Sequence, residues 1–238
     1  MAKSKKIFMH IGVNCIIVLM LVSVAVLAFD NNIKSVFVPS LEGVYYKGDS
    51  EQNNVSLMVN VYWGNEYLES MLDTFDKFGV KTTFFVGGSW VSKYPELLLK
   101  IVARGHEIGN HGYFHKDHSK LNFEQNQQEI INTHKIVATY TNKTMTLFAP
   151  PSGAYNESTI SASRALGYST IMWSRDTIDW RDKDTEIIYS RATKNMANGD
   201  LILMHPTQNT MQALPRILEF CRDNDFNVAP VSQTIKFA

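Results

Sequence analysis

The chain has 238 residues, and 23 Lys and Arg balance 23 Asp and Glu, so its formal charge at neutral pH is zero. Hydrophobic residues make up 45% and charged residues 19%, a composition that folds around a core and excludes a disordered chain. No basic stripe is present, which argues against nucleic acid as a partner.

The N-terminus reads as a separate object. Lys3, Lys5 and Lys6 precede an apolar run from Ile7 to Phe29, broken by the polar residues His10, Asn14 and Ser23 alone. At 1.5 Å per residue the run reaches roughly 34 Å, enough to cross a hydrocarbon core of about 30 Å. Residues 1–29 are therefore expected to span the cell membrane once. The lysines place the N-terminus in the cytoplasm and the remaining chain outside. A cleaved signal peptide, with Val26 and Ala28 ahead of the cut, is the competing reading and gives a secreted domain. The run is long for such a signal and lacks an A-x-A site. Cys15 lies in this run and Cys221 far beyond it, so no disulfide is expected.

Residues 30–54 are polar and read as a stalk and domain entry, leaving 55–238 as the folded domain. The stretch 55–61 is a strand, followed by a helix whose Leu68, Met71, Leu72 and Phe75 share one face and which Gly79 stops. "VKTTFFV" is a second strand, rich in β-branched and aromatic residues. A helix through "YPELLLKIVARG" follows, with Pro95 in its first turn. "HEIGN" is a short third strand. Asn122 then opens a long polar helix, with Gln125 placed for a capping box. Further strands are expected at 146–150, 169–174, 201–205 and 226–230, with helices at 156–167, 184–197 and 207–223.

Seven strands alternating with helices predict an α/β fold with mainly parallel strands. Roughly 190 residues is short for eight βα units, which take about 250. An incomplete (β/α)7 barrel fits better than an open doubly wound sheet, because no glycine-rich phosphate loop follows the first strand.

In a βα barrel, reactive side chains stand at the C-terminal ends of the strands. The polar residues that interrupt apolar runs fall there. Asn60, Tyr62 and Trp63 end the first strand, and His111 and His115 follow the third. Pro150, Pro151 and Ser152 follow the fourth. Asp176, Asp179 and Trp180 follow the fifth, and His205 ends the sixth. One helical turn between His111 and His115 aims both imidazoles at a single cation; packing at the surface is the alternative. His118 is expected to be solvated, with a role as a further metal ligand as the alternative. His205 is either a satisfied core residue or, with Asp179 raising its pKa, a general acid. Asp176 and Asp179 also suit turns and helix caps. Trp63, Trp90 and Trp180 fit the core or the rim, and an exposed indole also suits the flat face of a sugar.

Taken in order, "VNVYWGNE", the run from "VKTTFFV" to "HGYFHKDHSKL", "FAPPSGAYN", "DTIDWRD" and "LILMHPT" resemble the polysaccharide deacetylases of carbohydrate esterase family 4, the NodB-homology proteins. The likeness covers about residues 43–238 and is greatest to the sporulation-associated branch of Gram-positive bacteria. It implies a barrel that holds a divalent metal, usually zinc, and removes N-acetyl groups from peptidoglycan or chitin-like glycan. On this resemblance His111 and His115 match the two metal histidines, and His205 matches the catalytic acid. Asp179 and Trp180 match the Asp-Trp pair of the fourth motif, and Pro150, Pro151 and Gly153 the third motif. Trp63, Pro150, Pro151 and Trp180 are the candidate substrate contacts.

The first motif departs from the family. Asn60 stands at the base position and Val61 at the position of the third metal ligand, where the family carries aspartates. Ala149 replaces the arginine that orients the base, a coherent loss, since a buried guanidinium without its carboxylate is an unpaired charge. The leading expectation is a weakened metal-assisted deacetylase acting on cell-wall glycan. Its rival is a glycan-binding module that has lost catalysis. An amidase acting on a non-sugar amide is a third reading.

Overall fold

The computed structural model of the chain describes residues 43–235. The expected span at 1–29 lies outside them, and among the described residues no helix is long and apolar enough to cross a membrane.

Nine strands occur among the described residues. They are β1 (Val44–Tyr45), β2 (Asn54–Val61), β3 (Thr83–Val86), β4 (Glu107–Asn110), β5 (Leu147–Phe148), β6 (Ser169–Ile171), β7 (Arg175–Asp176), β8 (Leu201–Met204) and β9 (Asn227–Val228). The helices between them are α1 (Asn65–Phe78), α2 (Gly88–Lys93), α3 (Pro95–Ala103), α4 (Phe123–Thr141), α5 (Glu157–Ala165), α6 (Thr185–Thr193), α7 (Gln208–Asp223) and α8 (Val231–Thr234). Neighbours run β1-β6-β5-β4-β3-β2-β8-β7, with β9 beside β2, and every ladder is parallel. The outer strands β1 and β7 do not pair with each other, so the sheet forms a half-barrel wrapped by helices. Val44–Tyr45, inside the polar 30–54 segment, pairs with β6.

The sequence explains the elements. In β2, seven of eight residues are buried, because a parallel strand is covered on both faces. Leu68, Met71, Leu72 and Phe75 are the buried stripe of α1, and Gly79 closes it in a left-handed conformation (φ 66°). Asn122 Oδ1 accepts from the Gln125 N–H (2.8 Å) and Gln125 Oε1 accepts from the Asn122 N–H (3.0 Å), the expected capping box of α4.

Two apolar clusters separate the faces of the sheet. Leu57, Val59 and Val61 point towards the helices and join Leu68, Phe75 and Leu214. Met58, Phe85, Leu147, Ala149, Ile171 and Leu203 form the other cluster, inside the barrel. Alternation along each strand then carries the next inward position beyond this apolar floor. Met58 is followed by Asn60, Gly109 by His111, and Leu203 by His205. The fold thus delivers polar side chains from separate strands to one end of the barrel.

Candidate active site

At that end lies a pocket of about 430 Å³, and its lining includes Asn60, Trp63, His111, His115, Trp180 and His205. With Ser152 and Asp176, eight of the residues singled out from the sequence therefore meet in one place. Ser152, Trp173, Asp176 and Leu203 complete the wall. Pro150 and Pro151 are buried and lie outside the lining; the 3-10 turn that Pro151 starts presents Ser152 instead.

His111 is 2% exposed. Its Nδ1–H donates to the Ala149 carbonyl (2.7 Å), which leaves Nε2 with a free lone pair. The His115 ring centre stands 5.1 Å away, with the two planes at 74°. Two imidazoles bound through one nitrogen each to a tetrahedral zinc place their ring centres about 5 Å apart, so the pair suits one ion. Burial pushes both pKa values down, charge on His115 and then His205 lowers His111 further, and charge on His205 lowers His115 further. Neutral imidazoles are the ligand form. No helical turn joins them, contrary to the sequence expectation. Residues 111–117 form a loop, and positive φ at Gly112 (69°) and His115 (55°) folds the rings together.

Val61 is buried on the helix-facing side and supplies no ligand. Among the described residues no group of three His, Cys, Asp or Glu side chains stands close enough to hold an ion. His111 and His115 would offer a divalent cation two neutral imidazole nitrogens. His118, expected in solvent, is fully buried instead. Its Nδ1 meets Asn126 Oδ1 at 2.6 Å and its ring packs on Phe148, so it braces the loop rather than facing the pocket.

Across the pocket, His205 Nδ1–H donates to Asp179 Oδ1 at 2.8 Å. Asp179 Oδ2 accepts from the His205 backbone N–H (2.6 Å) and the Thr210 hydroxyl (2.5 Å). Three donors thus hold the buried carboxylate, orient the imidazole and turn Nε2 towards the pocket. Thr210, in the first turn of α7, was not singled out from the sequence. The Trp63 indole lies parallel to the His205 ring at 5.6 Å. Trp63 and Trp180 are 43% and 57% exposed, two flat faces on the rim.

Asn60 is 4% exposed, and its Oδ1 is buried without a hydrogen-bond partner. Ala149 is sealed in the apolar interior. Asp176, paired in register with Leu203, points into the barrel beneath His205, and burial raises its pKa.

A family model for polysaccharide deacetylases matches residues 47–171. The uncharacterized protein YlxY of Bacillus subtilis is 37% identical over 188 residues, 79% of this chain and 59% of that protein. A peptidoglycan-N-acetylglucosamine deacetylase of Bacillus cereus is 29% identical over 177 residues, 72% of this chain and 83% of the enzyme. Among solved structures, BA3943 of Bacillus anthracis, described as a CE4 family pseudoenzyme, superposes with a TM-score of 0.79 at 31% identity, covering 81% of this chain and 69% of that one. A mutant of BA3943 described as having restored enzymatic activity matches equally well, at a TM-score of 0.79 and 30% identity. The half-barrel, the converging motif residues and the matched family model lead to one conclusion: the chain belongs to the polysaccharide deacetylase family.

Proposed function

We propose that the pocket binds N-acetylated cell-wall glycan and hydrolyses its N-acetyl groups slowly, because the proton acceptor of the family is missing. The observation that carries this reading is the intact His205–Asp179 pair, facing His111 and His115 across one pocket. A site kept only for binding has no need of an imidazole braced by a carboxylate that three donors saturate.

His111 and His115 would hold the cation, and zinc suits two neutral imidazoles. When bound, such a cation polarises the acetyl carbonyl and lowers the pKa of water. The chain's own groups do the rest. Trp63 and Trp180 stack on the sugar. His205 Nε2 gives its proton to the departing amine, and Asp179 stabilises the imidazolium beforehand. Asn60 can hydrogen-bond the attacking water but cannot take its proton, which has to leave to bulk solvent, a loss of about 10²–10⁴ in rate.

A second reading, a glycan-binding module without turnover, is favoured by the unpartnered Oδ1 of Asn60 and by the likeness to BA3943. The lysines ahead of the apolar run support a domain outside the cell, tethered by residues 1–29 or secreted if that segment is cleaved. Acetate release from acetylated peptidoglycan and from chitin oligomers, with and without zinc, tests the reaction on the purified chain. Slow zinc-dependent release that His205→Ala removes supports the hydrolase. Tight glycan binding with no release, even from Asn60→Asp, supports the binding module.

A further inference from the structure

The buried stripe of α4 is not apolar throughout. Asn126, Glu129, Ile130, Thr133 and Val137 compose it, so an amide and a carboxylate enter the interior one turn apart. Asn126 holds His118. Glu129 is 4% exposed and lies outside the pocket lining, and a buried carboxylate needs partners.

Those partners all belong to the loop that carries His111 and His115. Glu129 Oε2 accepts the backbone N–H groups of Tyr113 (2.9 Å) and Phe114 (2.7 Å), and Oε1 meets Lys116 Nζ at 2.9 Å. Among the described residues no backbone carbonyl takes either N–H. The same loop is held from its other side. Asn110 Oδ1 accepts the Gly112 N–H at 3.0 Å. Gly88 and Ser89, at the start of α2, donate to the Gly112 and Tyr113 carbonyls at 2.9 Å each. The left-handed residues Gly112 and His115 flank the two N–H groups that Glu129 takes. Without that acceptor, the segment between the two imidazoles loses its anchor on α4.

Lys116 adds a second constraint. It follows His115 directly, and an unpaired ammonium beside a ligand repels a divalent cation. Glu129 pairs this ammonium, which also lies over the Phe114 ring, 5.3 Å from its centre.

We propose that Glu129 is a positioning residue for the histidine pair: one carboxylate fixes the loop between the two imidazoles and neutralises the ammonium beside them. Glu129 acts through His111 and His115, and the inference rests on reading those two as cation ligands.

Zinc titration calorimetry on the purified chain tests it, with a melting temperature measured for each variant. Glu129→Gln keeps an acceptor of the same shape but loses the charge, and should weaken zinc uptake about tenfold. Adding Lys116→Met removes the stranded ammonium and should return most of that affinity. Glu129→Ala removes the acceptor as well, and should weaken uptake about 100-fold with or without Lys116→Met. A residue that only stabilised the fold would lower the melting temperature and show no relief from Lys116→Met. Should Glu129→Ala fail to fold, Glu129→Gln with and without Lys116→Met decides alone. Wild-type uptake in Glu129→Gln, or a weakened Glu129→Gln that Lys116→Met does not relieve, overturns the proposal and leaves the histidine site standing. A wild type that takes up no zinc overturns the histidine site and the proposal with it.

Discussion

Asn60 and Asp179 are both buried polar side chains at the mouth of the barrel, and they differ in what meets them. Three donors converge on Asp179, whereas Asn60 Oδ1 meets none. Asn60→Asp supplies a proton acceptor where the water must lose its proton, and we expect zinc-dependent acetate release to rise by about 10²-fold or more. Ala149→Arg alone buries a guanidinium in an apolar cluster and should cost about 3 kcal/mol or more in a denaturant titration. Joined to Asn60→Asp, the same arginine gains a partner, so acetate release should rise further and part of the stability return. A double mutant no faster than Asn60→Asp would show that the two side chains do not meet. Asp179→Asn, in the Asn60→Asp background, should lower the rate by about 10²–10⁴, since the imidazolium loses its stabilising charge. Asn60, His111 and His205 were legible in the sequence because each extends an apolar strand by one inward step. Thr210 was not. It reaches Asp179 across 31 residues of chain, and no local pattern records such a contact.

At the scale of elements, the segment from His111 to Asp117 shows how spacing misleads. A four-residue interval fits a helix, but Gly112 and His115 adopt left-handed conformations, and the rings meet through a loop. A Cβ at Gly112 would lie 2.8 Å from His118 Nε2, on top of the strain of positive φ. Gly112→Ala should therefore cost about 1–3 kcal/mol and weaken zinc uptake as the loop shifts. Calorimetry should find zinc uptake abolished by His111→Ala and by His115→Ala. His118→Leu should leave uptake in place, since its ring faces Asn126 and Phe148 rather than the pocket. Equal uptake in a His111 and His115 double mutant would move the cation elsewhere. The long elements were legible from periodicity and caps. β1, β7 and α2 were not, being two, two and six residues long, too short for a period to repeat. Pairing to neighbours, rather than propensity, makes Arg175 and Asp176 a strand.

For the whole molecule, acid is the informative stress. His106 is 5% exposed between Phe75 and Phe84, and its Nδ1 accepts the Thr82 N–H. Burial, then the Lys81 charge, lowers its pKa to about 4. The unfolded chain takes up this proton near 6.5 and the folded chain does not, so stability falls as pH drops through the window from 6.5 to about 4. The full loss is on the order of 3 kcal/mol. His106→Asn keeps an acceptor for Thr82 without titrating, and should flatten that part of a melting-temperature profile. Asp176 acts with the opposite sign. Its raised pKa destabilises the fold as pH climbs out of the carboxylate range, so Asp176→Asn should raise the melting temperature at neutral pH and not in acid. Topology is tested on intact cells stripped of their wall. Added protease should digest the chain beyond about residue 30, and a protected domain would be cytoplasmic.

A sheet that stops short of closure keeps two free borders, and free borders are where strangers add strands. Among the described residues this one has Val44–Tyr45 as its outer strand on one side and Arg175–Asp176 on the other. Each offers two residues, less ribbon than a foreign strand needs to find a register. On the second border the Arg175 guanidinium is also spent on the carbonyls of Arg191, Ala192, Lys194 and Asn195, lashing the end of α6 to the edge. The described edges of this open sheet thus offer crowded copies of the domain little template for strand addition.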